Sequence, residues 1–364
     1  MKRLHAVRWA AVVLLLAAGC GTPDVVQANQ GRPIMGQLVE AGILRSLDEY
    51  ADAYGWDERY PEVLLDLNRF SPDGEEFGDG NLYGLSQTGE IVGVFYNEDK
   101  VEEIPLTLEE FEAQLEDAKR DGDVPIQFGN LDRYPGIHNY ETLLAQTADK
   151  DVVRDFVFAR NGASFDTPEF HAAAAKLKEW ADAGYFTPSF AGTSYDTAWQ
   201  RFGSGEGRFL IAGTWLVADL QDALGEAVGF FPLPSETGGD PVALGGEGLP
   251  FTITQRSKHP DVAAAYIDHL TDANATVVLA ETGNLPAPPV PDGVEPPGSL
   301  LKEVFASWES LQDGDGLIPY LDYVMPTAFD DVSGAIQRLL AGEDDPAAFI
   351  ESVQSEYERF LEGQ

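Results

Sequence analysis

At 364 residues the chain is long enough for two domains, and 44% hydrophobic with 11% aromatic residues is ample for packed cores. It carries 62 acids against 23 lysines and arginines, a net charge of −39. That charge repels phosphate backbones and excludes nucleic-acid and polybasic membrane binding, while acids scattered singly over the helices read as a surface suited to high salt.

The chain opens with Lys2, Arg3 and Arg8 in an acid-free head, followed by an unbroken apolar run over 9–18. A basic head and an apolar core too short to span a bilayer are secretory-signal architecture, since a crossing helix needs about 20 residues. Ala18-Gly19-Cys20 then resembles a bacterial lipobox, which makes 1–20 a signal peptide and Cys20 a lipidation site. A plain signal peptide is the alternative. Cys20 is the only cysteine, so a disulfide within the chain and a cysteine-based zinc site are both excluded.

Further along, "TLEEFEAQLEDAKRDG" predicts a helix, with Thr107 as N-cap, Glu110 completing a capping box, and Leu108, Phe111, Leu115 and Ala118 on one face. "VPIQFG" follows as a short buried strand. "DTPEFHAAAAKLKEWADAGYF" repeats the helical plan, with Pro168 in the first turn and Gly184 at the end. "RFLIAG" and "AVGFFPLP" read as strands, and the stretch from Ser257 to Gly283 as two helices. The proline-rich "LPAPPVPDGVEPPG", Leu285 to Gly298, is a stiff extended strap. The chain then ends in helix, with Phe349, Val353, Tyr357 and Phe360 as an apolar stripe. Strands interleaved with helices predict an α/β fold with largely parallel sheets.

Signs of catalysis are sparse. No two of His5, His138, His171, His259 and His269 have zinc-site spacing, and "GSGEG" lacks the Lys-Ser/Thr of a phosphate loop. There is no Gly-x-Ser-x-Gly elbow, no dinucleotide fingerprint and no calcium loop. So many acids place some pair at glycosidase separation by chance, and none stands out. The sequence therefore offers no catalytic residue, metal site or cofactor. Aromatic and amide residues instead gather beside glycine turns in "GNLYGLSQTGEIVGVFYNEDK", "QFGNLDRYPGIHNY" and "IAGTWLVADL". Sugars present an apolar ring face and a hydroxyl rim, which flat aromatics and amides or carboxylates complement. Phe95 and Tyr96 read as core; Trp215, just past a strand and a Gly-Thr turn, reads as a ring-stacking residue.

Seven landmarks in order carry a wider resemblance: "PDVV", "LVEAGILRSLDEYA", "LYGLSQTGEIVGVFYNEDKV", "PLTLEEFEAQLEDAKRDGDVPIQFGN", "WQRFGSGEGRFLIAGTW", "GFFPLPSETGGDPVALGGEGLPFTIT" and "SKHPDVAAAYIDHLTDANATVVLAETGNLPAPP". From Pro23 onward the chain resembles extracellular solute-binding proteins of the family 1 type, the sugar-capturing components of ABC importers. The resemblance implies a two-lobe, periplasmic-binding-protein-like α/β fold of class II type, with the ligand held between lobes and no chemistry performed. It implies an N-terminal lobe from 21–124 and 245–290, and a C-terminal lobe from 125–244 and, with the strap, 291–364. It also implies that the first lobe lacks its opening strand-helix-strand unit, because "PDVV" normally follows such a unit.

Ligand-binding residues implied by matching positions are Asn29, Gln30 and Arg32 after the first strand, then Gln127, Tyr134 and His138. Trp215 occupies the family's Gly-x-Trp position, Glu247 lies in the crossing turn, and Tyr320 and Asp322 follow the strap. The implied partners are a sugar or oligosaccharide, permease subunits, and the membrane through a lipid anchor only, for an exported monomer. A peptide or polyamine receptor and a secreted carbohydrate-active enzyme are the alternative readings.

Overall fold

The computed structural model describes residues 22–236 and 239–363, so the signal segment and Cys20 lie outside the described residues. Among the described residues there are nine strands: β1 Val25–Gln27, β2 Arg69–Phe70, β3 Asn81–Leu82, β4 Gly89–Asn97, β5 Phe209–Gly213, β6 Val228–Phe231, β7 Ala243–Glu247, β8 Phe251–Ile253 and β9 Leu317–Ile318. β4 organises the largest sheet. Its alternating side chains enter two different cores: Val92, Val94 and Tyr96 pack in one, and Ile91 and Phe95 in the other. A strand covered on both faces reads as a nearly continuous apolar run, which is what "IVGVFY" is.

The sheet corrects the expectation of largely parallel pairing. β5 runs antiparallel along one edge of β4, while β7 and β6 run antiparallel along successive parts of the other edge. Of these strand pairs only β7 and β9 are parallel. The long β4 crosses the molecule in one direction, and each later segment returns against it. β1 pairs with β8 in a separate two-stranded antiparallel sheet, Val26 opposite Thr252. "VPIQFG" is buried as expected but forms no strand. Pro125 has no N–H to give a ladder, and Ile126 makes single parallel bridges to Phe186 and Phe209.

The helices follow their local signals. Leu108–Arg120 is capped by Thr107, which accepts from the Glu110 amide, and it buries Leu108, Phe111, Leu115 and Ala118. Pro168–Ala183 begins on its proline and ends at Gly184 in the left-handed region. Pro260–Leu270 and Ala273–Glu281 are the two helices expected before the strap. Pro346–Glu362, capped by Asp345, buries Phe349, Val353 and Tyr357. Fully burying each such large side chain contributes about 1.5–3 kcal/mol. The strap opens along the 87–89 segment, where Gly89 and Ala287 amides reach the carbonyls of Leu285 and Gln87.

Candidate functional site

The apolar run of β5 ends at Gly213, and Thr214–Leu216 turns the chain into the Val217–Leu224 helix. Thr214 Oγ1 accepts from the Ile91 amide at 3.1 Å, which pins this turn to β4. A Cβ on Gly213 would stand 2.0 Å from the Trp215 ring, so the indole lies directly over a backbone that only glycine leaves clear. Its Nε1 donates to the Tyr195 hydroxyl at 2.8 Å. Trp215 is nevertheless 40% exposed. A large aromatic fixed at one end and open at the other presents a ring face to an incoming molecule.

Further rings adjoin it. Tyr134 and His138 sit one turn apart on the Tyr134–Thr147 helix and therefore share a face. The His138 ring lies 5.7 Å from Trp215 and 5.6 Å from Tyr320, and Tyr134 lies 5.2 Å from Tyr195. Tyr320 donates to Glu90 at 2.9 Å, and its ring is 5.3 Å from that of Tyr323. The Tyr323 hydroxyl reaches Asn29 Oδ1 and Gln30 Oε1, both at 3.3 Å. Gly31, at φ 77°, lets the loop after β1 pass over Tyr323, whose Cβ would be 2.6 Å from an added side chain. The buried Gln30 amide also donates to the carbonyls of Glu247 and Gly248.

Of the expected residues, Trp215, Tyr134, His138, Tyr320, Asn29 and Gln30 thus form one connected cluster, linked through Tyr323, in which Trp215 is exposed and His138, Tyr320 and Gln30 are buried. Glu247 meets it through the Gln30 amide, and Asp322 lies in the turn after Tyr320. Two lie elsewhere. Gln127 is buried and accepts from Thr187 Oγ1 at 2.9 Å inside a core. Arg32 donates to the carbonyls of Val157, Val324 and Phe158 at 2.9–3.2 Å. It closes the C-terminal end of the Lys150–Phe158 helix, where a cation is favourable. Glu90, Tyr195, Tyr323 and Glu141 join the site without having been expected. Glu90 alone left a signal, as the one acid in an otherwise apolar strand.

The site is acidic. Burial pushes the Glu90 carboxyl up to about 7, partly opposed by the Tyr320 hydrogen bond. Burial likewise raises Asp322 to about 6 and holds Glu141 and Glu247 well above the usual carboxylate range. Glu141 accepts the Leu321 amide, and Glu247 accepts from Asn68 Nδ2 at 2.6 Å. Burial drives His138 down to about 3, so its imidazole is neutral. A separate groove of about 440 Å3 runs between the Glu62–Asp66 and Lys150–Phe158 helices and meets β7 at Gly245-Gly246. Its walls mix the charged Glu62, Asp66, Arg154 and Arg160 with the apolar Leu64 and Leu317, and Phe158 is its single ring. With one ring in its lining, that groove is the poorer platform for a sugar face, and the aromatic cluster is the better one.

Among the described residues no His, Cys, Asp and Glu group is arranged to hold a metal, and no helix is long and apolar enough to cross a membrane. The arrangement offers stacking faces and hydrogen-bond acceptors. The sequence model of one family, described as bacterial extracellular solute-binding protein, matches residues 8–312. The chain is 23% identical over 204 residues to the multiple sugar-binding protein of Streptococcus mutans, covering 53% of this chain and 48% of the relative. It is 25% identical over 221 residues to the maltodextrin-binding protein MdxE of Bacillus subtilis, covering 57% and 51%. The chain thus spans about half the length of the curated relatives it matches. Among solved structures, a chitin oligosaccharide binding protein superposes with a TM-score of 0.81 at 21% identity, over 98% of this chain and 88% of that one. RafE in complex with raffinose gives 0.73 at 19% identity, over 97% and 89%. These likenesses show the fold, a two-lobe periplasmic-binding-protein-like architecture.

Proposed function

The chain belongs to the bacterial extracellular solute-binding protein family, and on that premise we propose that it captures a sugar or oligosaccharide between its lobes and delivers it to an ABC-type permease. The observation that carries this reading is the half-open Trp215 ring, fixed by Tyr195 and bordered by His138, which in turn packs against Tyr134 and Tyr320. Rings for the sugar face and acceptors for the hydroxyl rim occur together there. The relatives' sugar-binding names support the same class of ligand.

In this reading the protein binds and performs no reaction. One lobe is built on 21–124 with 245–290, a division supported by the β1–β8 ladder that joins the two segments, and β4 runs from it into the sheet shared with β5 and β6. The other comprises 125–244 with 291–364. The mature monomer is tethered by a lipid on Cys20, so Cys20→Ser releases it from the membrane fraction of producing cells. A wild type already in the soluble fraction contradicts the tether.

The function is tested by a thermal-shift panel of neutral, acidic and amino oligosaccharides, peptides and polyamines. A ligand of the folded state at 100 times its Kd stabilises by about 2.7 kcal/mol. A response confined to saccharides supports the reading, and a response only to peptides or polyamines replaces it.

A further inference from the structure

Four carboxylates converge on the ring cluster from separate elements: Glu90 from β4, Glu247 from β7, Glu141 from the Tyr134–Thr147 helix, and Asp322 from the Leu321–Tyr323 turn. Every charged carboxyl neighbour acting on Glu90, Glu141 and Glu247 is another acid of the same group. Arg32, the nearest cation in the loop after β1, is committed to three backbone carbonyls. Histidine supplies no charge either, because His138 stays neutral.

Ionising neighbouring carboxyls that are partly or fully buried is costly without a counter-ion, and a ligand that brings the counter-ion relieves that cost. Three buried atoms mark where polar partners are wanted. His138 Nδ1, Glu141 Oε2 and Glu247 Oε1 have no hydrogen-bond partner among the described residues, although these side chains are only 9%, 1% and 1% exposed. The neighbouring rings favour the same occupant, since the faces of Trp215 and Tyr134 attract a cation as well as a sugar face.

Resting on the sugar-binding reading above, we propose that the preferred ligand is a cationic amino sugar: a hexosamine oligosaccharide with a free ammonium group, its ring on Trp215 and its ammonium toward Glu90 and Asp322. Like charge rejects uronates and phosphosugars from the same site. N-acetylation keeps the ring and removes the charge, so it isolates the electrostatic part of recognition.

The test is calorimetric titration of the full mature protein with glucosamine trimer, N-acetylglucosamine trimer, maltotriose and spermidine, at pH 7.5 and pH 5. At pH 7.5 the glucosamine trimer should bind at least about tenfold more tightly than its N-acetylated counterpart, the scale of one charge-assisted contact. The gap should narrow at pH 5, as Glu90 and Asp322 take up protons, and should narrow in Glu90→Gln or, should that variant fold poorly, in Asp322→Asn. It should persist in Glu58→Gln, which removes an equal charge from the exposed surface.

Equal or tighter binding of the N-acetylated trimer overturns the amino-sugar preference and leaves sugar binding standing. A gap that Glu58→Gln narrows as much as Glu90→Gln also overturns it, because the preference then belongs to the overall negative field. Spermidine binding as tightly as the glucosamine trimer, or no saccharide binding at all, overturns the sugar reading itself.

Discussion

Trp215 Nε1 donates to the Tyr195 hydroxyl at 2.8 Å, tying a 40% exposed indole to a side chain that is 6% exposed. Tyr195 thereby acts as a positioning residue for the stacking face. Tyr195→Phe keeps the ring packing and deletes only the acceptor, so saccharide affinity should fall by about 0.5–1.5 kcal/mol. The melting temperature of the unliganded protein should barely move. A loss of stability as large as the loss of affinity would assign Tyr195 a purely structural role.

The raised carboxyls make stability depend on pH in a stated direction. Glu90 rises from 4.5 to about 7, and Asp322 and Asp66 from 3.8 to about 6, each chiefly through burial. The folded protein therefore holds these protons to higher pH than the unfolded chain. Their contribution is fully present below about pH 4 and is lost as pH rises to about 7. Asp315 works oppositely, held down to about 2 by hydrogen bonds from Arg154 and Lys150, but only at lower pH. In high salt, which screens the surface, the melting temperature should fall between pH 4.5 and 7.5, and Glu90→Gln should flatten the slope. A rise over that window contradicts the assignment.

Arg32 joins the loop after β1 to the end of the Lys150–Phe158 helix and to Val324. Arg32→Leu leaves those carbonyls buried without their donor, so urea unfolding should show a loss of more than about 2 kcal/mol. A loss below about 0.5 kcal/mol would mean that water replaces the guanidinium and that this tie is weak.

The helices were legible because their signals are local. Thr107, Pro168 and Gly184 mark their own ends, and the stripe at Leu108, Phe111, Leu115 and Ala118 is buried as its spacing requires. Strand direction was not legible, because β4 meets partners far along the chain and nothing within "GEIVGVFYN" says which way they run. In the site, Trp215 announced itself by its place after a Gly-Thr turn. Arg32 and Gln127 show the limit: a long polar side chain looks the same in sequence whether it meets a ligand, a helix end or a buried threonine. Tyr195 was hidden for the same reason, its neighbours Ser194 and Asp196 reading only as a helix start.

Backbone protection should differ sharply between the two sheets. β1 is three residues long, partly exposed, and paired to β8 alone, whereas β5 is buried along its whole length beside β4. Hydrogen exchange at Val25 and Val26 should therefore be much faster than at Leu210 and Ile211. Equal, strong protection of both segments would show that the β1–β8 sheet is as stable as the central one.

The most direct measurement is calorimetric titration of the saccharide that responds best in the thermal-shift panel into wild type and Trp215→Ala. With the exposed indole as the stacking face, the variant should lose about 1–3 kcal/mol of binding free energy. Its melting temperature without ligand should stay near that of wild type, since the ring is open to solvent and outside both cores. Unchanged affinity would show that the sugar does not lie on Trp215 and would remove the observation on which the proposed function rests.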